Sequence, residues 1–213
     1  MRTRDRRNRV RHELAATLLL IRHAAHIHLD QTLSGRMAGV PLSDAGRAEA
    51  AELGSHLARD GLTAVEHSPL DRTRDTARAI TGAAGLPPPR PVEALIEIDM
   101  GEWQGRALDG FGDEPAWRDW NERRGTARIP GGETMGEAQA RIAGHIAELA
   151  RTRDGETIAL VTHSDMIRAA VAHVIGLPLD NLLRFEVAPA SVTRVVVGDW
   201  GGKLLSLNEK ARA

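Results

Sequence analysis

The chain has 213 residues, a net charge of -1, and 42% hydrophobic against 27% charged residues, the balance of a folded globular unit of ordinary size. Cysteine and tyrosine are both absent, which excludes disulfides, thiolate metal ligands, and cysteine or phenol nucleophiles. A nearly neutral surface gives no global electrostatic case for nucleic acid or an anionic membrane, so any anion site must be local.

The segment 1–14 is crowded by Arg2, Arg4, Arg6, Arg7, Arg9 and Arg11 and reads as a solvated basic tail. The apolar stretch after it is too short for a secretory signal and runs straight into Arg22. No apolar run approaches the ~18 residues a membrane span needs. A cytoplasmic protein with one domain over 15–213 is expected.

The first strand is predicted over 17–22. A helix follows over 43–59, with Ser43 as N-cap and Ala45, Ala48, Leu53 and Leu57 on its apolar face. A short strand at 63–67 leads to a second helix at 71–83. The proline-rich stretch 86–91 is a loop before a brief strand near Val92. The segment 102–130 breaks the rhythm with Trp103, Trp117, Trp120, Arg118, Arg123, Arg124 and Arg128. It reads as an irregular or helical excursion over the sheet edge, its tryptophans serving as packing anchors. Thr134 and Glu137 form a capping-box pair opening a helix to about Arg151. A strand at 157–162, a helix at 165–175 and strands at 192–197 and 203–207 complete the chain, the last pair joined by a hairpin turn at 199–202. This alternation predicts an α/β fold, a three-layer α/β/α sandwich whose mostly parallel sheet carries an antiparallel edge strand.

Two of the apolar strands stop at a histidine: LLLIRHAAH at His23 and IALVTHSDMIR at His163. In open α/β sheets the residues just past the carboxyl ends of the strands line the ligand crevice. Two histidines delivered there, one beside an arginine, point to phosphoryl transfer through a phosphohistidine. A neutral imidazole can attack phosphorus when a hydrogen bond at its other nitrogen presents the lone pair. Guanidinium forks suit the equatorial oxygens of the transferred group. One carboxyl group can protonate the leaving oxygen and later take a proton from water.

Four segments carry this chemistry: Arg22-His23; His67-Ser68-Pro69-Leu70-Asp71-Arg72 with Thr76-Ala77; the run from Leu95 to Trp103; and Thr162-His163-Ser164. Together and in this order they resemble the histidine phosphatase (phosphoglycerate-mutase-like) superfamily, over about 18–207. The resemblance implies catalytic roles for His23 as nucleophile, Glu97 as acid/base and His163. It also implies a phosphate site of Arg22, Arg72, His163 and Ser164, with no cofactor. Asp99 and Glu102 are local competitors for the acid/base role. Ser68 could touch phosphate or cap the helix after it.

The chain departs from the family pattern in three places. Ala24-Ala25-His26 replaces the usual Gly-Glu-(Thr/Ser), His28-Leu29 occupies the neighbourhood of a frequent asparagine, and Ser164 follows the second histidine where glycine is common. His26 and His28 are candidates for that phosphate contact or for the leaving-group pocket. The Ser34-Gly35-Arg36 turn is expected to close the other side, with Arg36 either selecting anionic substrates or standing solvated. Histidines 23, 26 and 28 lack a paired carboxylate in the run, so no metal is expected. The reading is a metal-independent phosphatase acting on a small phosphorylated molecule, without nucleic-acid or membrane partners; an oligomer is possible but not readable. The alternatives are a phosphoglycerate-mutase-type phosphotransferase and a non-catalytic phospholigand-binding module.

Overall fold

The computed structural model describes residues 15–211, so the basic segment 1–14 falls outside the described residues. Six strands form one sheet: β1 (Ala16–Arg22), β2 (Ala64–His67), β3 (Arg90–Pro91), β4 (Thr157–Thr162), β5 (Ser191–Gly198) and β6 (Gly201–Lys210). Their order is β3-β2-β4-β1-β5-β6. β1, β2, β3 and β4 run parallel. β5 pairs antiparallel with β1, and β6 antiparallel with β5. The reversal therefore begins one strand earlier than the sequence suggested, because a strand buried on both faces carries no alternation that reveals its direction.

Side chains on β1 alternate between two cores, as a strand covered on both faces requires. Leu19 and Ile21 pack with Leu53, Leu57, Ala77 and Ile80, from helices α1 (Asp44–Leu57) and α2 (Asp71–Ala84). Leu18 and Leu20 pack on the opposite face with Ile142, Ile146, Met166 and Ile167. A third helix, α3 (Pro115–Glu122), lies within the excursion. The helices of this second core are α4 (Met135–Thr152) and α5 (Ser164–Ile175). Helices thus cover both faces, giving the three-layer sandwich.

Local signals explain the element ends. Ser43 caps α1 by accepting the Gly46 N–H. The Thr134–Glu137 capping box at α4 is present in both directions. Ala45 and Ala48 are exposed, contrary to the predicted apolar face; the buried stripe runs through Gly46, Ala50, Leu53, Gly54 and Leu57. Gly46 is there for proximity, since a Cβ would fall 1.8 Å from the Ala25 carbonyl oxygen. That approach seats α1 directly under the chain leaving β1.

The excursion opens with 3₁₀ turns at Gly101–Trp103 and Leu108–Gly110 before α3. Trp103 and Trp120 are buried in the α4/α5-side core. Trp117 stacks on Phe111 at 4.1 Å between ring centroids. The tryptophans are packing anchors, as expected. Among the described residues, no helix is long and apolar enough to cross a membrane.

Candidate active site

β4 lies between β1 and β2 in the sheet, so three chain segments leave adjacent strand ends side by side. The His23 N–H donates to Thr162 O at 3.0 Å, and the Ser68 N–H to Val161 O at 3.0 Å. The sheet thereby delivers Arg22-His23, Ser68 and His163 to one edge, the place a parallel sheet reserves for its ligand. A pocket there is lined by Arg22, His23, His26, His28, Ser34, Gly35, Arg72, Glu97 and Ser164, together with Asp30, Asp165 and neighbouring apolar side chains.

Hydrogen bonds fix the state of each imidazole. His23 Nδ1 donates to the Ala24 carbonyl at 2.8 Å. A carbonyl only accepts, so Nδ1 carries the proton and Nε2 keeps its lone pair. Burial, then the Arg72 charge, hold the His23 pKa well below its ordinary value; the ring is neutral at physiological pH. His26 Nδ1 accepts the His28 N–H at 3.2 Å, which leaves a proton on Nε2. Burial and Arg72 lower the His26 pKa to about 4. His163 Nε2 faces the Ser68 hydroxyl at 2.8 Å, and its Nδ1 receives an Arg72 N–H at 3.3 Å. Burial first, and Arg72 next, keep His163 well below its ordinary value too. The His26 and His163 rings flank His23 at 5.1 and 5.2 Å between centroids.

The two arginines are anchored by one arm and open at the other. Arg22 Nη1 donates to Val187 O at 2.7 Å, and Arg72 Nη2 to Gly35 O at 2.6 Å. Arg22 Nε and Arg72 Nε and Nη1 are buried with no partner among the described residues. Arg72 is only 2% exposed. A buried, unpaired guanidinium donor is costly unless an anion answers it, and these donors belong to a pocket beside His23.

Glu97 stands opposite, its Oε2 3.8 Å from His163 Nδ1. Burial, then the negative charge of Asp165, push its pKa up to about 7 against the pull of Arg72. The segment that carries it is clamped from several sides. Arg141 Nη1 donates to Ala94 O and Ile96 O, Thr162 Oγ1 to Leu95 O, and Arg36 Nε to Glu97 O. Gly101, at φ +45°, lets this segment lie against 130–132, where a Cβ would come within 2.2 Å of Pro130 O. Asp99 is turned away: it faces Arg36 at 3.5 Å and accepts the Gly101 N–H at 2.9 Å. Glu102 does not line the pocket either.

A sequence profile of the histidine phosphatase superfamily (branch 1) matches residues 18–210. The chain belongs to the histidine phosphatase superfamily. Phosphoserine phosphatase 1 of Hydrogenobacter thermophilus is 28% identical over 196 residues, 90% of this chain and 91% of that protein. A protein named probable phosphoglycerate mutase GpmB, from Enterobacter sp. (strain 638), is 32% identical over 161 residues, 73% of each chain. Among solved structures, mycobacterial glucosyl-3-phosphoglycerate phosphatase superposes with a TM-score of 0.80 at 25% identity, covering 92% of this chain and 100% of that one. The alpha-ribazole phosphatase of Shigella flexneri gives a TM-score of 0.80 at 26% identity, covering 92% and 98%.

This superfamily member accommodates its departures from the family pattern without backbone strain. Neither Ala24 nor Ser164 has a positive φ, so the glycines usual there are not needed for conformation. His163 is the N-cap of α5, which opens at Ser164, one residue earlier than predicted. Its first-turn amides therefore begin at the pocket wall. Neither Ser68 nor the fully buried His163 lines the pocket; Ser68 does not cap α2 and instead bonds the His163 ring behind the lining residues. His28 Nδ1 lies 3.3 Å from the Ser34 hydroxyl, closing one wall.

Arg36 corrects the sequence reading. It does not line the pocket; its guanidinium binds Glu97 O, Asp99 and Glu133 and so braces the carboxyl segment from behind. Asp165 was missed. An acidic residue in the first turn of a helix reads as a response to the helix dipole, and only tertiary packing brings it to Glu97. Arg124, Arg168 and Asp165 form one ion-pair group, with Arg124 lying 4.6 Å over the Trp120 ring. Among the described residues, no group of three or more His, Asp or Glu is arranged to hold a metal ion.

Proposed function

We propose that this member of the superfamily is a metal-independent phosphatase that hydrolyses a small phosphate monoester through a phosphohistidine on His23. The observation that carries the reading is the His23 tautomer. Nδ1 is tied to the Ala24 carbonyl, and Nε2 holds its lone pair in a pocket with unanswered guanidinium donors.

In the first step the Nε2 lone pair attacks phosphorus and the bond to the alcohol oxygen breaks. Glu97, whose pKa of about 7 keeps much of it protonated at neutral pH, gives its proton to the departing oxygen. Arg22, Arg72, Ser164 and His163 hold the equatorial oxygens, where negative charge spreads in the transition state. The bound dianion favours a proton on His163, converting Nδ1 from acceptor to donor. In the second step Glu97 takes a proton from water, the water oxygen attacks phosphorus, and the N–P bond breaks. Inorganic phosphate leaves, and His23 and Glu97 return to their starting states. His26, with its proton on Nε2, is placed to add a neutral donor.

Relatives are named both as phosphatases and as a mutase. The relative named as a phosphatase matches 90% of this chain and the one named as a mutase 73%, which favours water as the acceptor. A cytoplasmic setting belongs to the same reading. The test is acid quench of wild-type protein with labelled substrate in EDTA: label on His23 is expected, and none on His23→Ala, which keeps its fold but not its turnover. Label on another residue, or full activity of His23→Ala, rejects the mechanism.

A further inference from the structure

The charges around the pocket divide by position. The permanently charged cations that line it, among the described residues, are Arg22 and Arg72. Both carry the open donors beside His23, and a phosphate dianion uses both. The remaining charged side chains on the wall, Glu97 apart, are Asp30 and Asp165. Asp30 makes no close ion pair among the described residues, though its charge acts on Arg22 at longer range. It sits at the exposed mouth with φ +59°, on a loop fixed to the excursion by Leu33 N–H to Arg106 O and Leu108 N–H to Gln31 O, both 2.9 Å. Asp165 presents one oxygen to Arg124 and Arg168; neither arginine lines the pocket, so neither offers a cation to the ligand, and the Asp165 charge still acts on Glu97. Leu33, Met100 and Leu108 supply apolar wall to the same pocket.

From this division we infer that the pocket selects phosphate monoesters whose alcohol carries no carboxylate, and ranks amine-bearing alcohols above carboxylate-bearing ones of similar size. The inference rests on the phosphatase reading and adds the class of leaving group. A second anion on the substrate meets Asp30 and Asp165 with no cation left to answer it, and like charges at close range repel in a partly desolvated site. An ammonium at the same place meets the Asp30 carboxylate, which has no close ion-pair partner among the described residues. This separates the chain from its relative named as a phosphoserine phosphatase, whose named substrate bears a carboxylate.

O-phosphoethanolamine and O-phosphoserine differ by that one group. Their kcat/KM values are measured beside phosphoglycolate, with p-nitrophenyl phosphate as the reference in every preparation. Phosphoethanolamine is expected to exceed phosphoserine and phosphoglycolate by about tenfold or more, a gap within reach of two nearby like charges. Asp30→Asn keeps a residue type that tolerates positive φ and removes the charge; the gap is expected to narrow. It narrows again between about 0.02 M and about 0.5 M salt, because Asp30 is exposed to screening. Carboxylate-bearing esters turned over as well as phosphoethanolamine, or a gap unmoved by Asp30→Asn, overturns the inference while leaving the phosphatase reading standing. A protein inert toward p-nitrophenyl phosphate and every other ester overturns the phosphatase reading itself.

Discussion

His163 Nε2 meets the Ser68 hydroxyl at 2.8 Å, joining the residue after β4 to the residue after β2. Because Arg72 donates to Nδ1, the hydroxyl must accept the Nε2 proton, and the ring is held with Nδ1 toward Glu97. Ser68→Ala leaves a buried N–H unanswered. We expect a stability loss of about 1–3 kcal/mol and weaker competitive inhibition by inorganic phosphate, since the ring that must turn donor is no longer oriented. Thermal melts and phosphate inhibition constants check this. Unchanged phosphate inhibition would detach Ser68 from the site.

Glu97→Gln separates binding from proton transfer. Gln cannot deliver a proton, so turnover of alkyl phosphates falls by on the order of 10²–10⁴, and the loss shrinks for p-nitrophenyl phosphate, whose leaving group needs little protonation. The pH profile carries the same signature. Wild-type kcat/KM needs Glu97 protonated and falls as pH rises past about 7; the variant lacks that limb. Equal losses on good and poor leaving groups would move Glu97 to dephosphorylation or to structure.

The same substitution changes stability in a pH-dependent way. The folded pKa of Glu97 is raised from 4.5 to about 7, so its stabilising preference for the protonated state is complete below about 4.5 and is lost as pH rises through about 7. Above that, ionised Glu97 is buried at a cost that Gln does not incur. Glu97→Gln is therefore expected to melt higher than wild type at pH 8 to 9 and close to it at pH 5. A melting difference that is the same at both pH values would contradict the raised pKa.

Much of this site was legible because strands impose it. An apolar run that stops at Arg22-His23, and another at His163, can be read in one dimension, and the sheet order then places them together. Glu97 was legible only through resemblance, since its segment is held by Arg141, Arg36 and Thr162 rather than by any regular element. Arg36 was misread for the same reason. An arginine on a loop looks solvated or ligand-seeking until Asp99 and Glu133 arrive beside it. The antiparallel entry of β5 left no trace either, because Val192, Val195 and Val197 are buried whichever way the strand runs.

Asp165→Asn tests the electrostatic support of Glu97. Burial is the larger cause of the raised Glu97 pKa and the Asp165 charge comes next. Removing that charge favours the Glu97 carboxylate, so the alkaline limb of kcat/KM moves to lower pH. At neutral pH the variant loses rate on alkyl phosphates because less Glu97 is protonated, and the loss is recovered by assaying at lower pH. An unmoved limb would assign the shift to burial alone.

A buried histidine away from the pocket gives the contrast that a catalytic claim needs. His145 on α4 binds Glu66 on β2 at 2.6 Å, and Arg90 on β3 binds the other oxygen of the same carboxylate. Glu66 is 2% exposed. Burial pushes its pKa up, but the hydrogen bonds from His145 and Arg90 outweigh that and hold it below its ordinary value. The stability this supplies is present above the ordinary carboxylate pKa and is lost as pH falls through the folded one. None of the three residues lines the pocket. His145→Ala strands the carboxylate with one partner and is expected to cost about 1–3 kcal/mol at neutral pH, with kcat on p-nitrophenyl phosphate unchanged in the folded fraction. A double replacement, Glu66→Leu with His145→Leu, removes the buried charge altogether and is expected to recover much of that loss. Denaturant melts of the three proteins decide the point: if the double variant is as unstable as His145→Ala, packing at α4 rather than the hydrogen bond to Glu66 is what His145 provides.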